Sequence, residues 1–286
     1  MIVIRVIGGL GNQMFQYALG RRLAIERNVP LKLDLSWYDS QDKRKFELDQ
    51  LNIKATIASK DDSYHIKYFS NNKYLRNLFS IYQSYLPYWR RRNIREKNSG
   101  LADTNILKAP RNAVLDGYWQ SEKYFAPIAE KIKTEFSLKF ELPAEIKIRE
   151  EKIISHANTV SIHVRRDDHL KDNTSHYVCP KSYYLKAIEF VASRVIKPHF
   201  YFFSDEIDWV EENIKINYPA DYIHSTCNDV FDLVLMSKCL HHINANSSFS
   251  WWGAWLGETV DSIVIVPNKW FIDRPYPKDR VPKRWI

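Results

Sequence analysis

The sequence predicts an α/β protein of parallel sheets covered by helices on both faces, divided into two units. Three observations predict it. A length of 286 residues exceeds the usual size of one domain. Short apolar segments alternate with helical stretches through the second half. The unusual polar motifs each follow one of those segments, where ligand-binding loops lie in parallel sheets. The charged, helical stretch Pro143 to Lys152 marks the junction, so the expected units are 1–152 and 153–286.

Taken in order, Ile2 to Ile7 reads as a strand, followed by a tight glycine loop and a helix from Gln13 to about Arg27. Leu31 to Asp34 is the next strand. Residues 36–109 are irregular and polar. Val114 opens a strand that runs into a turn by Gln120. In the second half, strands are expected at Val160–Val164, His199–Phe203, Asp221–His224, His241–Asn244 and Ile263–Val266. Between them lie helices at about Pro180–Val195, Glu206–Lys215, Asn228–Lys238 and Ser250–Glu258. Pro180 suits a helix start, and Asn228 suits a cap.

Composition narrows the class. Hydrophobic residues make up 45% and charged residues 27%, ordinary values for a globular protein able to bury a large core. Cys179, Cys227 and Cys239 are odd in number and lack C-x-x-C spacing, so reduced thiols in a cytoplasmic protein are expected. Met1 leads directly into the Ile2–Ile7 segment, too short for a signal core, and no apolar run suits a membrane span. A net charge of +8 favours an anionic partner. Much of the excess lies between Lys60 and Lys97, notably Arg90, Arg91 and Arg92, among Tyr74, Tyr82, Tyr85 and Trp89. Two readings stand for that stretch: a solvated helix face, or a peripheral contact with anionic lipid. No nucleic-acid-binding motif is present, and no nucleic-acid partner is expected.

Four motifs carry chemistry. Gly8-Gly9-Leu10-Gly11-Asn12-Gln13 follows the first strand. Its glycines allow close backbone approach and its following amides suit an anion, which makes Gly9, Gly11, Asn12 and Gln13 donor-binding candidates. A purely structural strand-to-helix turn would look the same. His163-Val164-Arg165-Arg166-Asp167-Asp168 ends a strand. Alternation puts His163 and Arg165 on one face and Arg166 on the other. A guanidinium there offers a fork suited to phosphate oxygens, whereas a salt bridge from Arg165 to Asp168 or Arg166 to Asp167 would merely brace the turn. Ser204 and Asp205 suit a base or ribose edge, or a helix cap. Ser247, Ser248 and Ser250 place three hydroxyls at a helix start, a phosphate cradle or simple capping, with Trp251, Trp252 and Trp255 packing the core. No D-x-D pair occurs, and His241 and His242 should point to opposite faces, so no metal and no cofactor are expected.

These blocks resemble the bacterial α-1,2-fucosyltransferases. The likeness lies in GGLGNQMFQY at 8–17, GYWQS at 117–121, HVRR at 163–166 with Asp168, FFSD at 202–205, and NSSFSWWGAWL at 246–256. It runs in order to about Trp270, and residues 36–110 carry little of it. The resemblance implies a GT-B-like arrangement, with two Rossmann-like domains facing across a cleft. The C-terminal domain would bind GDP-fucose and the N-terminal domain chiefly the acceptor. It implies metal-independent, inverting transfer to the 2-hydroxyl of a galactose-terminated acceptor, as in O-antigen or other surface-polysaccharide synthesis on a lipid carrier. It assigns Arg165 to the donor diphosphate, His163 and Asp205 to the nucleotide, and Ser247, Ser248, Phe249 and Ser250 to the phosphates. Asp167 stands where relatives often have Gly, and Glu206 where they often have Asp. For the general base, Asp168 comes first by position, His163 second and a group in the acceptor domain third; a base-free, dissociative path is a fourth option. The rival readings are another linkage, another GDP-sugar, or a non-enzymatic nucleotide- or nucleic-acid-binding protein.

Overall fold

The structure is a computed structural model that describes residues 1–41, 43–59, 61–62, 73–98, 100–166, 177–224, 226 and 228–286. Among the described residues, two five-stranded parallel sheets organise two compact units. The first unit comprises Met1–Lys139 with Lys278–Arg280, and the second Phe140–Pro277 with Val281–Ile286. The division thus falls thirteen residues before the expected 152/153 boundary. The helix Ala144–Ile154, expected at the junction, belongs to the second unit because Ile146 and Ile153 bury into that unit's core.

In the first unit, strands β1 (Ile2–Arg5), β2 (Leu31–Asp34), β3 (Thr56–Ile57), β4 (Asn93–Arg95) and β5 (Ala113–Asp116) take the order β3-β2-β1-β5-β4. The apolar run of β1 is central, paired with β2 and β5, which explains why Ile2, Val3 and Ile4 are fully buried. Helix α1 (Leu10–Arg27) starts three residues earlier than expected, with Gly9 at its cap and Gly11 inside its first turn. Of the motif's three glycines, Gly8 alone adopts a left-handed backbone, φ +79°, where a Cβ would meet the Asn12 side chain at 2.6 Å. Asn28 closes the helix in the left-handed region, its own amide donating to Ile25. Tyr17 on α1 donates to Glu135, and Glu135 also accepts three hydrogen bonds from the Arg21 guanidinium. Residues 36–109 are more regular than their sequence suggests. They contain β3, β4 and helix α2 (Lys73–Tyr85).

The second unit follows the expected alternation with boundaries shifted by a few residues. Strands β6 (Thr159–Val164), β7 (His199–Ser204), β8 (Ala220–Ile223), β9 (His241–Ile243) and β10 (Val264–Ile265) take the order β10-β9-β6-β7-β8. Every residue of β6 is buried, as befits the middle strand of a sheet covered on both faces. Val160, Ile162, Val164, Phe200, Phe202 and Ile243 pack on one face with helix α5 (Lys181–Ala192), which follows α3 (Ala129–Glu135) and α4 (Ala144–Ile154). Tyr201, Phe203 and Ile223 pack on the other with α4 and α7 (Asp229–Ser237). Helices α6 (Ile207–Asn213) and α8 (Ser248–Gly257) complete the layer set. On α8, Trp251, Trp252 and Trp255 stack with one another as core, as expected. Cys179 and Cys239 are buried free thiols; Cys227 lies outside the described residues.

One turn tests this packing. Glu96 accepts from the amides of Tyr118 and Trp119, at 2.7 and 3.2 Å, and holds the GYWQS segment at the end of β5. A Cβ on Gly117 would sit 2.4 Å from the Cβ of Glu96. Gly117→Ala should therefore cost about 1–3 kcal/mol by overpacking. Differential scanning calorimetry should show a lower melting midpoint, and an unchanged midpoint would contradict the close approach.

Candidate active site

Parallel strands end on one edge of a sheet, so the loops after β6, β7 and β9 emerge together. In register, Val164 lies beside Ser204 and Ile162 beside Ile243. The structure therefore gathers His163, Arg165, Arg166, Ser204, Asp205, Ser247, Ser248, Phe249 and Ser250 at one edge of the second unit. His163 is buried, 4% exposed, with its ring 5.6 Å from that of Phe249. Asp167 and Asp168 lie outside the described residues.

The two arginines hold different partners. Arg165 meets Asp205, the residue that follows β7, at 3.3 Å. The Asp205 carboxylate also accepts from the backbone amide of Arg166 at 3.1 Å. Arg166 itself donates to Glu206 at 2.9 Å and lies over the Trp209 ring at 3.4 Å. That combined ion pair and cation–π stack braces Arg166 against Glu206 and Trp209. Arg165 is left as the guanidinium at the strand end, with Asp205 orienting it.

The helix start after β9 divides in the same way. Ser247 caps α8, its hydroxyl accepting from the Phe249 amide at 3.2 Å. The Ser250 hydroxyl is fully buried and donates back to the carbonyls of Ala245 and Ser247. Ser250 therefore builds the turn and does not present its hydroxyl to a ligand, contrary to the expected phosphate contact. The amides of the first turn of α8 and its positive dipole end remain suited to an anion. Asn246 is likewise internal, bonded to the carbonyls of Tyr177 and Trp270.

The glycine loop belongs to the first unit, at the carboxyl end of β1. Gln13, expected as a donor contact, is fully buried and donates to the carbonyls of Gly8 and Lys45 while accepting from the Glu47 amide. Gln16 links Ile7 to Gly117. Both amide side chains satisfy the protein's own backbone. Asn12 accepts from Gln120 at 2.6 Å, which joins the glycine motif to the GYWQS segment. Gly9 faces the Arg44 guanidinium, whose nearest atom would lie 3.7 Å from an added Cβ.

Asp232 on α7 is a group that sequence reasoning missed. Burial raises its carboxyl to about 6, against the opposing pull of hydrogen bonds from Thr226. One of its oxygens is buried without a hydrogen-bond partner among the described residues. Its only sequence signal was an acid in the first turn of a helix, which capping electrostatics already explains. His241 and His242 form no ligand pair: the first accepts from the Ile263 amide, the second bonds Ser161 at 2.7 Å.

Comparison with known proteins decides the family. The model for glycosyl transferase family 11 matches residues 1–286. The chain belongs to that family. It is 33% identical to an α-1,2-colitosyltransferase of Escherichia coli, over all of this chain and 98% of the relative. It is also 33% identical to the O-antigen biosynthesis glycosyltransferase WbnK of Escherichia coli, over 92% of this chain and 93% of the relative. Its fold is similar to that of the fucosyltransferase NodZ from Bradyrhizobium, with TM-score 0.53 at 16% identity, covering 96% and 99% of the two chains. The protein is thus a family 11 glycosyltransferase with a GT-B-like α/β fold of two Rossmann-like units. Membership sets aside the non-enzymatic and nucleic-acid readings.

Asp232 yields a pH-dependent prediction. Its folded value, about 6, lies above the unfolded value of 3.8, so ionisation disfavours the fold as pH rises between the two. Two units correspond to roughly 3 kcal/mol at neutral pH. Asp232→Asn should raise the melting midpoint at pH 7.5, with the gain shrinking toward pH 4. A variant less stable than the parent at pH 7.5 would contradict this account.

Proposed function

We propose that this glycosyltransferase moves L-fucose from GDP-β-L-fucose to the 2-hydroxyl of a galactosyl acceptor with inversion, in the assembly of a bacterial surface polysaccharide. The observation that carries the reading is Arg165, a guanidinium fixed by Asp205 at the end of a central parallel strand, beside the amide-rich start of α8. That pairing of a planar fork with a helix dipole is suited to a diphosphate. The relatives support the rest: an O-antigen glycosyltransferase and an enzyme of α-1,2 linkage, each 33% identical over nearly the whole chain.

The chemistry follows as one displacement. An acceptor hydroxyl oxygen bonds to C1 of the sugar as the C1–oxygen bond to the β-phosphate breaks. The bonding pair stays on the diphosphate, and the hydroxyl proton passes to a base. Arg165 and the α8 amides offset the charge that builds on the departing GDP, so the reading needs no metal ion or cofactor. Ser248 and Phe249 line the same helix start, and Ser204 and Asp205 the neighbouring strand end. Asp168 comes first as the base by position; His163, buried against Phe249, comes second. The first unit would serve chiefly the acceptor, and Gly9, Gly11 and Asn12 stay candidates for the donor. The acceptor would be a lipid-linked oligosaccharide at the cytoplasmic face of the membrane. No helix among the described residues is long and apolar enough to cross a membrane, in keeping with a peripheral enzyme.

A second donor is favoured by one specific observation, the full-length identity to a colitosyltransferase. Colitose is fucose without its 3-hydroxyl. A site that hydrogen-bonds that hydroxyl rejects the deoxy sugar by about 10⁴-fold, whereas a merely apolar site discriminates far less. Turnover of both GDP-sugars on galactose-terminated acceptors, with linkage analysis of the products, separates the readings. Adding EDTA to the same assay tests the metal-independence.

Arg165→Lys should lower kcat by about a hundred- to a thousandfold, because an ammonium cannot reproduce the bidentate fork. Retention of most activity, with GDP still bound, would refute the role given to Arg165.

A further inference from the structure

Helix α2 presents an apolar stripe outward. Tyr74, Leu78, Ile81, Tyr82 and Tyr85 are 79%, 62%, 56%, 58% and 83% exposed. Their spacing of four, three, one and three residues puts them on one helical face. Gln83, half a turn from the centre of that stripe, is buried and accepts from the Arg92 amide at 2.7 Å. The helix is therefore held to its unit on the side of Gln83 and the partly buried Phe79, and the exposed stripe faces away from that side. Leu78 and Ile81 have no polar tip to justify their exposure, unlike a snorkelling tyrosine.

The charge beside the stripe is one-sided. From Lys73 to Asn98 the sequence holds seven basic residues and one acidic residue, Glu96, which is committed to the amides of Tyr118 and Trp119. Arg90, Arg92, Arg95 and Lys97 are exposed, Arg95 keeping one long contact to Asp116 at 3.4 Å, and Trp89 among them is 57% exposed. Arg91 differs. It stacks on Tyr88 and donates to the Ser84 carbonyl at 2.9 Å, so it holds the segment after α2 rather than an outside partner.

We infer that α2 and the Trp89–Lys97 segment form a docking surface for an anionic lipid bilayer, with the α2 stripe entering the interface and Arg90, Arg92, Arg95 and Lys97 meeting headgroups. An apolar stripe with tyrosines and a tryptophan at its borders, flanked by cations, matches the layered chemistry of a bilayer interface: hydrocarbon, then amphipathic rings, then negative headgroups. Another protein would have to offer both an apolar groove and a matching acidic patch. A second copy of this chain offers cations against cations at the same place. The surface deepens the transferase reading and rests on it only for the acceptor: the transfer chemistry itself needs no membrane, and the surface would place the enzyme where a lipid-linked acceptor is concentrated.

Vesicle sedimentation of the full chain tests this, using phosphatidylcholine alone and phosphatidylcholine with phosphatidylglycerol. The chain should partition onto the anionic vesicles and lose about fivefold in affinity for each neutralised arginine. Arg90→Ser with Arg92→Ser should therefore bind more than tenfold more weakly at low salt. Leu78→Ser with Ile81→Ser should weaken binding by at least tenfold even at high salt, because the lost term is apolar. Both pairs are exposed, so circular dichroism and turnover of donor with a soluble acceptor should stay at parental levels. Those readouts separate failure of this surface from failure of the transferase reading. Partition that ignores both variants, or no partition at all, would overturn the inference. So would a dimer in light scattering that the Leu78/Ile81 variant dissociates, since the stripe would then be covered by a second copy.

Discussion

A half-buried cation at a strand end needs something to fix and balance it, and the second unit is arranged around that constraint. Arg165 leaves the carboxyl end of β6, the most enclosed strand of its sheet, and Asp205, the residue that follows the adjoining β7, meets it. The next residue points to the other side and finds Glu206 and the Trp209 ring. Two consecutive arginines thus tie the same two strand ends together on opposite faces. Because Arg165 and Asp205 are both partly exposed, their pair adds little to stability. Its consequence is orientation, which a diphosphate-binding guanidinium requires more than strength.

The same economy explains the first unit, where polar side chains serve the backbone. Gln13 and Gln16 are fully buried amides that each bridge separate segments, and Glu96 and Glu135 hold turns and side chains in place. Each would cost about 1–3 kcal/mol per orphaned group if its partners were removed. The specific residue types in the glycine motif are therefore accounted for by internal hydrogen bonding. Asn12, joined to Gln120, connects that motif to the turn after β5.

Much of this was legible in the sequence because strand, helix and motif each carry a local signal. Alternation and length placed β6 to β10 within a few residues, and the strand-end rule located the cluster around Arg165. What could not be read was the partner of each polar group. A buried glutamine bonded to its own backbone and one facing a ligand have the same sequence, which is why Gln13 and Ser250 looked like donor contacts. Helix α2 entered only as one of two readings of the Lys60–Lys97 stretch, and β3 and β4 escaped because two or three residues carry no period. Asp232 escaped because its altered acidity arises from burial, a property of the folded chain.

A crystal structure with GDP bound is the most direct measurement of the central claim. The account predicts the diphosphate within hydrogen-bonding distance of the Arg165 guanidinium and the first amides of α8, with Asp205 still holding Arg165 from behind. A diphosphate remote from the end of β6, or one bridged to the protein by a divalent ion, would contradict it.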